Sequence, residues 1–505
     1  MQAAPDFKDF AKAYAAGKPV LVWTSLVADL ETPVSAMLKL ADGKPMSFLF
    51  ESVEGGASRG RYSFIGLKPD LIWRCFGDQP EINRRARSAP DAFEKLPQGA
   101  LASLKSLIAE CRIETPKELP PMAAGLFGYL GYGTVKLVEK LPDKNPDTLG
   151  IPDGMFLRPS IVCIFDNISD RIAVVTPAWP EKSVSAQDAY DAARARLADT
   201  LAEFERSLPP HFYSMGREAA EATQELPPPQ PNMSRAQCLD MIEKAKEYIR
   251  AGEIFQVVPS MRLSVPFKLP PFALYRALRR LNPSPFLFFL DYGAFAVVGS
   301  SPEILVRLRD GKVTIRPLAG TRRRGKDAEE DKSLAEELLA DPKERAEHLM
   351  LLDLARNDVG RVAKIGTVHV VEQFVIERYS HVMHISSHVE GRIDPKYQAI
   401  DALLAGFPAG TLSGAPKVRA MEIIDELEAE KRNLYGGGIG YFAGDGSMDT
   451  CIVLRTAIVK DGRMVVQAGC GVVADSDPAK EHQEILDKAR ALFRAAEEAV
   501  SFARN

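Results

Sequence analysis

Short apolar or alternating runs bounded by turn residues recur along the chain, which is the pattern of β-strands. In the first half, residues 47–51, 62–66, 160–165 and 171–176 read this way. The last two are joined by Asp166-Asn167-Ile168-Ser169-Asp170, a hairpin signal. In the second half the runs come in adjacent pairs, 286–291 with 294–299 and 304–309 with 312–317. Arg309-Asp310-Gly311-Lys312 predicts a tight hairpin, because Asp-Gly tolerates the positive φ that two-residue turns need. Asp461-Gly462, between 452–460 and 463–468, predicts a second. Helical periodicity fills 186–207, 331–340 and 343–356, and Ser234 reads as the N-cap of a helix through Tyr248 and Ile249. Hairpins interspersed with helices predict an α+β fold of large antiparallel sheets with helices packed on their outer faces.

Residues 207–232 interrupt this pattern with Pro209-Pro210, Pro227-Pro228-Pro229 and Pro231. Such proline density suits an exposed linker. It divides the chain into 1–230 and 231–505, two regions expected to interlock. A length of 505 residues exceeds what one core usually supports, which agrees with two units. Hydrophobic content of 46% and charged content of 26% are those of a globular protein. The net charge of −4 gives no basic stripe for nucleic acid, and no window of about 18 apolar residues reads as a membrane span. The first ten residues carry Asp6, Lys8 and Asp9, unlike a secretory signal. The six cysteines, scattered without CxxC spacing, read as reduced thiols of a cytoplasmic protein.

Two acidic pairs change the picture. Glu344 and Glu347 share one helix face, as do Glu481 and Glu484, because residues three apart are neighbours on a helix. Four carboxylates from two helices suit one hard divalent cation completed by water, as Mg2+ prefers, although such pairs are also ordinary solvated edges. The glycine-rich stretches 435–440 and 468–471 allow close backbone approach, so their amides are candidates to bind a carboxylate, or are simply tight turns and bulges. Cys470 invites a nucleophile reading, but its context favours a packed thiol. The basic run 321–326 reads as a solvated loop. His381, His384 and His388 cluster near Tyr379, which makes one of them a general-base candidate.

Five segments together carry a resemblance: PLAGTRRRG (317–325), ERAEHLMLLDLARNDVGRV (344–362), FPAGTLSGAPK (407–417), YGGGIGY (435–441) and AGCGVVADSDP (468–478). In this order they resemble the chorismate-utilising enzymes, and within them the anthranilate synthase large-subunit family. FESVEGGASRGRYSFIG (50–66) resembles that family's N-terminal effector segment, so the likeness spans nearly the whole chain. The resemblance implies that 1–230 holds the effector segment and 231–505 the chorismate-binding region. It implies Glu347 and Glu484 as Mg2+ ligands, with Glu344 and Glu481 holding the metal's waters. Gly320, Thr321, Tyr435, Arg455, Gly469, Cys470 and Gly471 match the substrate contacts. Arg455 offers a carboxylate a bidentate fork, and Lys488 adds positive charge.

The implied reaction adds ammonia at C2 of chorismate with loss of the C4 hydroxyl, then eliminates pyruvate to leave anthranilate. Glu303 matches the general acid, His384 the base that takes the C2 proton, and Thr411 a residue lining the C2 face. Where aminodeoxychorismate synthases carry a nucleophilic lysine, this chain has Ala319. Where isochorismate and salicylate synthases carry a water-activating lysine, it has Gln256. Ammonia would come from a separate glutamine amidotransferase subunit, in the family's usual assembly of two large and two small chains. Glu51, Ser52, Pro285, Phe286, Leu287, Tyr441 and Cys451 match a pocket for L-tryptophan as feedback inhibitor. Phe50, Phe286 and Leu287 depart from the residues usual there.

Overall fold

The structure, a computed structural model, describes residues 2–54, 58–208, 226–379 and 382–504, with backbone alone at 53–54, 58–59 and 503–504. Pro209-Pro210 and His381 lie outside the described residues. One hydrogen-bonded network joins twenty-one of the described strands, and their pairings are antiparallel. Its N- and C-terminal parts are sewn together at two places. Ser47–Glu51 lies between Tyr62–Phe76 and Phe286–Asp291. Gly125–Leu130 lies between Gly154–Asp166 and Gly438–Ala443. The α+β architecture expected from the hairpin pattern is the one that forms.

Local chemistry sets several elements. Gly154–Asp166 and Arg171–Ala178 pair as the predicted hairpin. Asp310 (φ 51°) with Gly311 (φ 71°), and Asp461 (φ 50°) with Gly462 (φ 71°), turn their hairpins in the left-handed region. Ser234 caps Arg235–Arg250, and Gln237 closes the capping box. Asp341 caps Pro342–Gly360 by accepting from the amides of Lys343 and Glu344.

Other boundaries differ from the sequence reading. The run 452–460 is two strands, Met448–Ile452 and Thr456–Lys460, broken where Arg455 takes φ 48°. The basic run is loop only in its second half: 321–323 belong to the strand Leu318–Arg323 on Val382–Arg392, and 324–326 follow it as loop. There Arg322 pairs with Glu337, Asp341 and Glu344, and Arg324 with Asp331. The proline-rich segment rejoins the sheet at Gln230–Pro231, which pairs with Ser260–Pro266. Such a short edge pairing tolerates a residue without an amide hydrogen. The six cysteines are free and buried. No helix among the described residues is long and apolar enough to cross a membrane.

Candidate active site

Glu303 follows the Ala296–Ser301 strand and is 7% exposed. Its carboxylate accepts from Thr411 Oγ1, at 3.2 and 3.3 Å from the two oxygens, and from the amide of Leu318 at 3.5 Å. Burial pushes this carboxyl up to about 8, against the opposing pull of those hydrogen bonds and of the nearby Arg455 charge. Glu303 therefore holds its proton at neutral pH. It is a donor.

His384 lies on Val382–Arg392, opposite Thr321 in the register. Its Nδ1 is 3.0 Å from the Gly320 carbonyl and 3.1 Å from Thr321 Oγ1. A carbonyl only accepts, so Nδ1 carries the hydrogen and Nε2 is left as the basic nitrogen. Burial, and then the positive charges of Arg455 and Lys488, push the imidazole down to about 4. The ring is neutral at neutral pH, as a base requires.

Arg455 owes its place to the strand break. A non-glycine residue in the left-handed region is held against about 1–3 kcal/mol of strain. Here the surrounding pairings hold it: Val453 donates to Gly437 and Ser300 donates to the Arg455 carbonyl. Among the described residues none forms a hydrogen bond or ion pair with the guanidinium. Such a fork, lying beside Glu303 and His384, has the chemistry to bind a carboxylate.

The glycine stretches close the opposite side. Ser260 stands opposite Gly469 in the register. A Cβ on Gly469 would lie 2.7 Å from the Pro259 carbonyl and 2.9 Å from the Tyr435 hydroxyl, so only glycine fits. Lys488 Nζ donates to the Gly469 carbonyl at 3.0 Å and pairs with Glu484 at 2.7 Å. A Cβ on Gly471 would meet Gln256 Nε2 at 2.9 Å, and that amide donates to Glu347 at 3.1 Å. Cys470 is fully buried, and burial drives its thiol far up, so it is no nucleophile.

Glu344 and Glu347 open the Pro342–Gly360 helix, and Glu481 and Glu484 open Pro478–Arg504. Burial, then the charges of Glu344 and Glu484, raise the Glu347 carboxyl, so the two helix starts press like charges together. Glu481 Oε2 is buried without a hydrogen-bond partner. Among the described residues no three metal-ligating groups converge into a cage. These carboxylates suit a hard dication in donor type and charge rather than in a closed geometry.

Glu51, Ser52, Pro285, Phe286, Leu287, Tyr441 and Cys451 all line one cavity of about 670 Å3. Both oxygens of Glu51 are engaged, Oε1 by Arg279 at 2.9 Å, and Oε2 by Arg279 at 2.5 Å and Tyr275 at 2.6 Å. Arg307, Arg309, Arg316, Asp449 and Glu377 line the cavity as well. There Arg309 Nε, Arg316 Nε and Asp449 Oδ1 are buried without hydrogen-bond partners. Pro302, Leu318 and Tyr379 line it too. Pro302 precedes Glu303, and the Tyr379 ring stands edge-on to His384 at 5.5 Å. The cavity thus shares a wall with Glu303 and His384.

The family described as chorismate binding enzyme matches residues 70–494. Anthranilate synthase component 1 of Cereibacter sphaeroides is 57% identical over 498 residues, 99% of this chain and 98% of that protein. The chain belongs to the chorismate-binding enzymes, in the anthranilate synthase component 1 family. The crystal structure of anthranilate synthase component I from Streptococcus pneumoniae TIGR4 is 33% identical, covers 93% of this chain and 99% of that one, and has a TM-score of 0.74. The menaquinone-specific isochorismate synthase of Escherichia coli shares the fold at 20% identity, with a TM-score of 0.69 over 97% of this chain and 98% of that one.

Of the two described histidines of the cluster, His384 reaches the site, and His388 lies with its Nε2 3.3 Å from Glu390. The sequence reading gave no site role to three residues. Arg322 braces Glu344 at 3.1 Å, and Tyr379 donates to Glu377 at 2.8 Å. Gln256, read only for the lysine it replaces, touches Glu347. The Arg-rich run was the one signal for Arg322. The histidine cluster was the signal near Tyr379, and a lone Gln256 in an apolar stretch carries none.

Proposed function

We propose that the chain converts chorismate and ammonia into anthranilate, pyruvate and water, the first step of tryptophan biosynthesis, with tryptophan as inhibitor. The observation that carries this reading is a protonated buried Glu303 and a neutral His384 beside Arg455, whose guanidinium has no hydrogen-bond partner among the described residues. Arg455 and the amides around Gly469 would hold substrate carboxylates. As the ammonia nitrogen bonds to C2, Glu303 gives its proton to the departing C4 hydroxyl, which leaves as water. His384 Nε2 then takes the C2 proton, and pyruvate leaves as its enol form, which the solvent converts to the ketone. Glu347 and Glu484, with Glu344 and Glu481 behind them, would hold Mg2+, which when bound supplies positive charge to the ring carboxylate.

Gln256 supports ammonia as the nucleophile. An amide cannot deprotonate water as a lysine can, and its Oε1 is buried without a partner, an acceptor for an N–H donor. Ammonia would arrive from a separate component 2, a glutamine amidotransferase, in an assembly of two large and two small chains. The seven residues lining one cavity support the tryptophan reading. The test is anthranilate fluorescence from the purified chain with chorismate, Mg2+ and ammonium. Signal that requires Mg2+ and Glu484, and falls on adding tryptophan, is expected. Consumption of chorismate without fluorescence would overturn the assignment in favour of another reaction on chorismate.

A further inference from the structure

One guanidinium ties together the loops that carry the substrate-facing groups. Arg432 is 4% exposed and follows the Lys417–Leu427 helix, whose C-cap, Glu428, is 5% exposed. Arg432 Nε donates to Glu428 Oε2 at 2.9 Å and Nη2 to Oε1 at 2.5 Å. Nη1 donates to the Leu412 carbonyl at 2.7 Å, and Nη2 to the Val258 carbonyl at 2.6 Å. The plane lies over the rings of Tyr132 and Tyr435, at 4.7 and 5.4 Å from their centroids. Glu428 Oε1 also accepts from Ser260, at 2.8 Å from its amide and 2.7 Å from its hydroxyl.

Each of these partners neighbours a group already placed at the site. Leu412 follows Thr411, which holds Glu303. Val258 is two residues beyond Gln256, which touches Glu347. Ser260 stands opposite Gly469, whose approach to Tyr435 admits no side chain. A buried ion pair is a weak source of stability, because desolvation offsets its attraction. What a guanidinium offers over a point charge is rigid planar placement of several acceptors at once.

We propose that Arg432 is a positioning residue for the chorismate reaction, fixing the Thr411 loop, the Gln256 loop and the Tyr435 ring relative to one another through one planar fork. This rests on the reaction proposed above. Arg432 touches no reacting atom. It acts through Thr411 and Tyr435.

The test is a double-mutant cycle of Arg432→Lys with Thr411→Val, read by anthranilate fluorescence over a chorismate series, with thermal melting of each variant. Lysine keeps the charge and loses the fork. Arg432→Lys is expected to fold and to lower kcat roughly ten- to a hundredfold, the range set by sub-ångström misplacement, with a smaller change in KM. The double variant is expected to be no slower than the slower single, because both changes release the same contact to Glu303. Two results would overturn the proposal: single effects that multiply in the double, or an Arg432→Lys chain that melts earlier yet keeps kcat and KM within about twofold. If Arg432→Lys does not fold, Glu428→Asp replaces it in the cycle, withdrawing the carboxylate that orients the fork, and the same two readings decide. A wild-type chain that makes no anthranilate would overturn the reaction and this role with it.

Discussion

Two side chains of ordinary type are retuned by burial, and the pH profile follows from them. Glu303 is raised to about 8, so it keeps its proton below that pH and loses it above. A donor role then makes kcat decline as pH rises through about 8. Glu303→Gln, which cannot donate to the leaving hydroxyl, is expected to lose about 10²–10⁴-fold in kcat and that alkaline limb with it. The measurement is kcat against pH for both chains; an unchanged alkaline limb in the variant would remove Glu303 from the donor role. Arg455→Met is expected to raise the KM for chorismate about tenfold or more, the worth of one charged hydrogen bond. A KM that stays put would mean the uncommitted guanidinium does not meet the substrate. None of this tuning was legible in residue spacing. Ser301-Pro302-Glu303 carries no motif of its own, and only the resemblance singled it out; its hydrogen-bond donors, Leu318 and Thr411, lie 15 and 108 residues away.

At the scale of elements, Asp341 both caps the Pro342–Gly360 helix and accepts from Arg322, which in turn braces Glu344. Asp341→Ala is expected to lose about 1 kcal/mol of stability through the cap. It is also expected to raise the Mg2+ concentration for half-maximal activity about tenfold, as changes behind a metal's direct ligands do. Thermal melting and a Mg2+ titration separate the two effects. A lower melting point with an unmoved Mg2+ midpoint would leave Arg322 a purely structural brace. Elements set by local chemistry were the readable ones: the Asp310-Gly311 and Asp461-Gly462 turns and the Ser234 capping box each encode their own geometry. The break at Arg455 was not readable, because Val453 and Leu454 extend the apolar run. Only the pairings with Gly437 and Ser300 interrupt it. Leu318–Arg323 was misread because its arginines find acidic partners on two helices, a match that no local window contains.

Across the whole molecule, the first half supplies a strand to the middle of the sheet rather than an appended unit. Ser47–Glu51 brings Phe50, Glu51 and Ser52 to the cavity while pairing with Phe286–Asp291, which brings Phe286 and Leu287. The same cavity is also lined by Pro302, Leu318 and Tyr379, each next to or touching Glu303 or His384. A ligand that shifts this wall shifts Glu303 and His384, which is a physical route for inhibition without overlap of the two sites. Phe286→Ala removes one aromatic face of the cavity and leaves the catalytic groups in place. It is expected to raise the tryptophan concentration for half-inhibition about tenfold or more, the usual worth of an aromatic anchor. Linkage then demands reciprocity: if tryptophan weakens chorismate binding, chorismate must weaken tryptophan binding by the same factor. Calorimetric titration of tryptophan into the chain, with and without saturating chorismate and with ammonium withheld, reads that factor directly. Repeated over a chorismate series, a factor that levels off would support two coupled sites across one wall. A factor that keeps growing in proportion to chorismate would mean that both ligands compete for one site, and a tryptophan affinity indifferent to chorismate would leave the two sites uncoupled.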